Sequence, residues 1–444
     1  MALEAWVTIF QIFDEFLDDY TRIFDAWEDG GVRGLVIGWT SFQDEEGNFT
    51  VPGFPPNPKV YRDRGLEPND REVKTDPAKY ERFLALLDDA KARGWPILIF
   101  SPRGGTGAKP LPLEEDPYGA KTQAGVWEEV FDAFPQADGG IHDGWGESPY
   151  ELRFHHGSAV FQDIPDAAKI EASARGYDAA RLERGMLHLR RRFHTFTPAE
   201  VRYYGACGVL AELNLFDINE DALYWLRWRR KKGLENGRAF RVEIDKSPRQ
   251  IKIANGPRSA MFSGMTAYDF HAWDEIVDFL LAKHYFWHRG FDGLYGTVAR
   301  WVAGVHAWNP SLTEEDCFTV VKAWLGADLP EVHSLEDMDL GLPQAFFDKV
   351  VKEETARALA AVSDPDKILP WVDTGPTPHG GDPMPSGDLY RILKASKEAG
   401  LRHFVYIGEF TAAEWRVMSR ICGKLWNEDP QGYWPAGTPK PSSY

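Results

Sequence analysis

Short apolar runs of β-branched and aromatic residues alternate along this chain with longer stretches whose apolar positions return every three or four residues. Runs of the first kind are too short for helices and read as strands buried on both faces; the second kind read as amphipathic helices. The first strand is expected over residues 6–12. Asp14 then caps a helix carrying Phe16, Leu17, Tyr20, Ile23, Phe24 and Trp27 on one face, and Gly30-Gly31 ends it. A second strand follows over 32–40. A polar, Pro-rich excursion over 43–75 has no periodicity and reads as a functional loop or an ordered lid. Asp76 and Pro77 open the next helix, Gly94 closes it, and strand three follows over 96–100. A helix over 126–134 precedes strand four at 140–143.

The second half continues the alternation around a long helical interruption. Residues 179–193, 198–213 and 219–232 read as helices, more than one crossover needs. Strand five is expected over 249–254, a short helix over 274–276 and strand six over 277–284. Helices over 312–324 and 343–362 then lead to strand seven at 367–373. After a Gly- and Pro-dense loop, a Ser386-capped helix precedes strand eight at 403–409, and a last helix spans 412–425. Eight such strands separated by helices imply parallel pairing through right-handed crossovers. The expected fold is α/β: a (β/α)8 TIM barrel with an elaborated helical insertion and long βα loops. It is read as one domain over 1–444, with the insertion at 177–246.

Composition narrows the class. A length of 444 residues suits a barrel with insertions. The formal net charge of −18 argues against nucleic acid and against an anionic membrane surface as partners. The basic stretches at 190–192 and 227–232 fall in helices and read as solvated faces. The three cysteines, Cys207, Cys317 and Cys422, form neither a disulfide framework nor a CxxC pair, which fits a reducing compartment. No basic leader opens the chain, so the location expected is cytoplasmic, or secreted or periplasmic if a leader has been removed. No run of eighteen apolar residues exists to span a membrane. A homo-oligomer is compatible with all of this. With 17 Trp, 16 Tyr and 27 Phe the chain is rich in aromatics, which favours a saccharide as partner, although large barrels also bury such residues as packing.

In a barrel of this type the strands' C-terminal ends form one rim, where the chemistry sits. Arg103 falls there after strand three, Asp143 and Glu147 after four, Lys283 and His284 at six, Asp373 at seven and Glu409 at eight. Asp143, Trp145 and Glu147 alternate in sequence and can share one face, with Gly144 and Gly146 leaving room beside them. Cleavage of a glycosidic bond needs one carboxyl group to protonate the leaving oxygen and another as base or nucleophile. Glu147 is therefore the expected general acid/base, partnered by Asp143, Asp373 or Glu409. Asp143 and Glu147 also suit an ordinary turn, Asp373 an Asx-turn, and Glu409 the cap of the last helix. Arg103, Trp39, Trp145, His155, Lys283, His284 and Trp287 are expected to bind substrate. Of Lys283 and His284, neighbours in a strand, one should point into the mouth. Neither His155-His156 nor His284 with His288 has a third ligand at metal spacing, so no metal and no cofactor are expected.

Residues 143–152 (Asp-Gly-Trp-Gly-Glu-Ser-Pro-Tyr-Glu-Leu), residues 282–293 (Ala-Lys-His-Tyr-Phe-Trp-His-Arg-Gly-Phe-Asp-Gly) and Gly408-Glu409 together resemble TIM-barrel proteins of the glycoside hydrolase type. The resemblance is one of overall organisation and covers most of the chain. It implies an acid or nucleophile at the end of strand four, which points to Asp143 and Glu147. The best-known clan carries Asn-Glu there and Glu at strand seven; here strand four gives Asp-Gly-Trp-Gly-Glu and strand seven Asp373. The function expected is hydrolysis of a glycosidic bond by carboxylate acid/base catalysis at the barrel rim. Two alternatives stay open: a barrel isomerase or lyase using Lys283 or His284 as base, and a non-catalytic glycan-binding barrel.

Overall fold

The computed structural model describes residues 2–9, 14–38, 53–70, 72–102, 105–143, 149–153, 159–286, 293–373, 384–407 and 412–424. Among them run eight parallel strands: β1 Glu4–Ile9, β2 Val32–Ile37, β3 Ile97–Phe100, β4 Gly139–His142, β5 Lys252–Arg258, β6 Phe279–Ala282, β7 Trp371–Asp373 and β8 His403–Ile407. Their order is β6-β5-β4-β3-β2-β1-β8-β7. The ring closes between β6 and β7 through parallel bridges at Leu280–Ile368 and Lys283–Trp371. Two backbone bonds secure that seam, Leu369 N–H to the Leu280 carbonyl at 3.0 Å and His284 N–H to the Trp371 carbonyl at 2.9 Å. The protein is a (β/α)8 barrel.

Strand pleating sorts the apolar runs into two cores. Trp6, Val36, Leu98, Phe100, Ile141, Ala254, Leu281, Leu369, Trp371, Val405 and Ile407 point inward and fill the barrel. Their neighbours, such as Val7, Leu35, Ile99, Ile253, Leu280 and Val372, point outward beneath the helices. This double burial is why the strands read as continuous apolar runs rather than alternating ones.

The connection from β4 to β5 carries the helices Asp166–Ala174, Ala179–Arg192, Pro198–Tyr204, Val209–Leu215 and Glu220–Ile244. The last of these serves as the crossover: Phe240 meets the Trp127 and His142 rings at 4.9 and 4.8 Å, edge to face. It runs twelve residues beyond the expected end at 232, because its second half still has a wall to pack on. The expected helix at 198–213 is interrupted at Gly205 and resumes after Gly208, whose φ of 83° breaks the helical path.

Elsewhere the sequence reading needs correction. Strand five lies at Lys252–Arg258, later than the 249–254 expected. Its pairing with β6 steps from Asn255–Leu280 to Arg258–Ala282, three residues against two, so a bulge accommodates Asn255-Gly256-Pro257 inside the strand. The helix Leu294–Trp308 was not anticipated; its glycines and β-branched residues weaken the helical signal, and burial of Leu294, Val298, Trp301, Val302 and Val305 supplies the stability instead. Among the described residues no helix is long and apolar enough to cross a membrane.

Candidate functional site

Three ionisable residues take inward positions at the C-terminal rim, at the ends of β4, β6 and β7, and Arg258 at the end of β5 reaches one of them. Asp143 follows Ile141 on the inward parity of β4, and Arg258 ends β5. Lys283 follows Leu281 at β6, and Asp373 follows Trp371 at β7. The parallel bridge from Lys283 to Trp371 places Asp373 two residues farther along the same seam.

Asp143 and Arg258 are joined, with Arg258 Nη1 3.4 Å from Asp143 Oδ1. Arg258 is nearly enclosed, its side chain 7 % exposed, while that of Asp143 is 37 % exposed and open to a ligand. The guanidinium carbon also stands 5.3 Å from the ring centre of Tyr268, which itself stacks on Trp273 at 5.4 Å and 10°. An aromatic face and a carboxylate thus hold this arginine from two sides. Lys283, 2 % exposed, has its ammonium 5.1 Å from the Tyr285 ring centre and 6.0 Å from that of Tyr150. Asp373 is 3 % exposed, and Trp371, one inward step below it, packs on Phe100 at 5.1 Å between ring centres. The floor of the rim is therefore apolar and its wall charged, an arrangement that strengthens electrostatic contacts to anything bound above it.

The loops that frame this rim are tied from the outer helices. Tyr150, where the chain returns after β4, has its carbonyl bonded by Trp301 Nε1 at 2.9 Å, and Arg229 holds the Pro149 carbonyl. After β3 the chain turns at Ser101, whose φ of 44° is unusual for a residue with a side chain and marks a turn held in place by its surroundings. Glu129, on the helix Ala120–Ala133, accepts from Asn57 N–H at 2.9 Å, Thr106 N–H at 3.1 Å and Tyr61 Oη at 2.6 Å. Burial and this carboxylate both push the Tyr61 phenol far up, so it keeps its proton and donates.

Of the carboxylates expected from the sequence, Asp143 and Asp373 are brought to this rim, whereas Glu147 and Glu409 lie outside the described residues. So do Arg103, Trp39, Trp145, His155 and Trp287. The neighbours Lys283 and His284 part company. Lys283 faces the mouth, and the expectation that His284 could serve there is corrected. Its imidazole lies on the outer face with Leu280 and Ala282, wholly buried, with Nε2 2.9 Å from Thr355 Oγ1. Burial pushes its pKa down to about 4, so it is neutral at physiological pH. Arg258, Tyr150, Tyr268 and Tyr285 were not singled out. The signal for Arg258 was present, a cation at a strand's end, but Asn255-Gly256-Pro257 reads as a turn and hides the strand's last residues. Among the described residues no group of three or more His, Cys, Asp or Glu side chains is placed to hold a metal ion.

No protein-family model matches the chain, and no curated protein matches it in sequence. Solved structures resemble it loosely. The PgaB (BpsB) glycoside hydrolase domain from Bordetella bronchiseptica aligns over 94% of this chain and 95% of its own, at 9% identity and a TM-score of 0.43. The catalytic domain of a beta-amylase from Paenibacillus polymyxa aligns over 97% and 98%, at 12% identity and 0.42. An endo-beta-1,4-mannanase from Thermotoga petrophila aligns over 95% and 76%, at 9% identity and 0.41. Likenesses this loose assign neither a residue's role nor an activity.

Proposed function

We propose that the protein is a glycoside hydrolase whose substrate lies across the C-terminal rim of the barrel, with Asp143 and Asp373 among its working carboxylates. The observation that carries this reading is the placement of those two side chains on the inner face, at the ends of β4 and β7, above an apolar floor and beside Arg258, Lys283 and three tyrosines. Hydrolysis of a glycosidic bond asks for two carboxyl groups in different surroundings, one holding a proton and one ionised. Asp143 is half-open and reachable from the mouth, with Arg258 beside it, a position that suits a base, a nucleophile or a ligand of a sugar hydroxyl. Asp373 is buried. Glu147, which follows β4 in the sequence, remains the proposed general acid/base. Tyr285, half-buried beside Lys283, supplies a flat, partly apolar ring for a sugar to pack on.

The test is release of reducing ends from a panel of aryl glycosides and oligosaccharides. Asp143→Asn, Asp373→Asn and Glu147→Gln are each expected to lower turnover on the order of 100-fold or more while leaving the melting temperature near that of the wild type. Full activity in all three would end the hydrolase reading, and saccharide binding without turnover by the wild type would favour a binding barrel. A second reading is favoured by one observation: the Lys283 amine is almost wholly buried and faces the barrel axis, where a lysine can act as base or nucleophile in a lyase or isomerase. Loss of activity in Lys283→Ala with silent carboxylate variants would select it.

A further inference from the structure

Behind the two cations of the rim stands one short helix, Lys352–Ala360, with two polar residues at consecutive positions turned wholly inward. Glu354 and Thr355 are both 0 % exposed. A buried carboxylate beside a buried hydroxyl is costly unless each has partners, and each has one just beyond the end of a different strand, Glu354 after β5 and Thr355 after β6. Glu354 receives the Met261 N–H at 3.1 Å on either oxygen, the Ala260 N–H also turns toward it, and Arg357 Nη1 closes on it at 2.6 Å. Those backbone groups open the turn Ala260–Phe262, which begins two residues after Arg258. Burial raises the carboxyl's pKa, and Arg357 and the N–H groups oppose that rise; in either protonation state at least one oxygen accepts. Thr355 reaches the neighbouring strand: its Oγ1 lies 2.9 Å from Nε2 of His284, the residue directly after Lys283, and also bonds the Val351 carbonyl at 2.8 Å and Ser396 Oγ at 3.2 Å.

We infer that Glu354 and Thr355 are positioning residues for the two rim cations, Glu354 fixing Arg258 through the backbone of the turn at 260–262 and Thr355 fixing Lys283 through His284. The inference rests on the reading of this rim as the active site. Its physical basis is leverage at the ends of strands. Regular pairing of β5 with β6 ends in one last rung, the Lys283 N–H on the Arg258 carbonyl at 3.0 Å, and Lys283 is bridged to Trp371 on its other side; past that rung the direction of each cation's side chain answers to what holds the next one or two residues. The bulge at Asn255–Arg258 has already interrupted regular pairing on one side, so the turn at 260–262 is the backbone restraint that follows Arg258, added to the contacts its side chain makes with Asp143 and Tyr268. Both restraints come from adjacent positions on one helix, so the two cations share a single rigid support.

The test reads each cation separately, by peptide mass spectrometry after labelling the folded protein with an arylglyoxal for guanidinium groups and by reductive methylation for amines. Glu354→Gln places an amide donor where one acceptor stood, and labelling of Arg258 is expected to speed up about tenfold with Lys283 close to its wild-type rate. Thr355→Val, which keeps the shape and removes the hydroxyl, is expected to do the reverse, and Thr355→Ser to restore the wild-type pattern. Exposed Arg22 and Lys91 serve as controls that should not change. Equal response of both cations to either variant, or labelling that merely follows loss of melting temperature, overturns the inference. So does no response at all. Should Glu354→Gln fail to fold, the Thr355 pair decides. Selective labelling in a protein that turns over no glycoside would sink the hydrolase reading and leave the positioning role standing; carboxylate-dependent turnover with unselective labelling would do the opposite.

Discussion

At Gly256 the end of β4 approaches β5 so closely that a β-carbon would stand 2.6 Å from the His142 carbonyl oxygen and 2.7 Å from Asp143 Cα. These are backbone atoms, which cannot swing aside as the tip of a side chain can. Gly256→Ala is therefore expected to push Asp143 away from Arg258. The strain should cost about 1–3 kcal/mol of stability, and the misplaced carboxylate should lower turnover by roughly 100-fold, more than the stability loss explains. Thermal unfolding and turnover on the same samples check this. A variant with unchanged kinetics would show that Asp143 need not be held where it lies. The same residue illustrates what sequence reading missed, since a glycine between Asn and Pro reads as a turn when it is in fact a point of close contact inside a strand.

At the scale of elements, the helices steer the loops of the rim with buried carboxylates. Glu129 joins the segment after β2, through Asn57 and Tyr61, to the segment after β3, through Thr106. Gly105, at φ 61°, lies so near that a β-carbon there would come within 1.9 Å of Glu129 Oε2. Glu129→Gln removes one acceptor from three donors and is expected to cost about 2 kcal/mol, with faster hydrogen exchange at the Asn57 and Thr106 amides. Unchanged protection at both amides would show that the segments are held by other contacts. Element types were readable wherever apolar period and cap agreed, as in the helix Pro77–Ala92 with Asp76 accepting from Lys79 N–H at 3.0 Å. Where tertiary packing outweighed local preference the reading fell short: the helix Leu294–Trp308 was not anticipated, and β5, read rightly as a strand, was placed too early.

For the whole molecule, two buried histidines tie stability to pH. His284 is held down to about 4 by burial, and burial also lowers the pKa of His403. In the unfolded chain each titrates near 6.5, so between about pH 6.5 and 4 the unfolded state binds more protons than the folded one. The contribution of His284 is present in full above that range and is lost as pH falls through it, by about 2 kcal/mol at around pH 5. Urea unfolding at about pH 7.5 and about pH 5 should show at least that decline, and His284→Gln should flatten it. An equally steep decline in the variant would place the sensitivity elsewhere. The alternation of strand and helix and the barrel were determined by the sequence, because burial on both faces writes itself as uninterrupted apolar runs of fixed length, and the same runs put Asp143, Lys283 and Asp373 at strand ends. What only the folded chain decided is which member of a neighbouring pair faces the mouth. Lys283 turns in and His284 turns out because pleating, the bulge in β5 and the closing bridges at Lys283–Trp371 set the register there. Contacts between residues far apart in the chain set that register, and no local pattern records them.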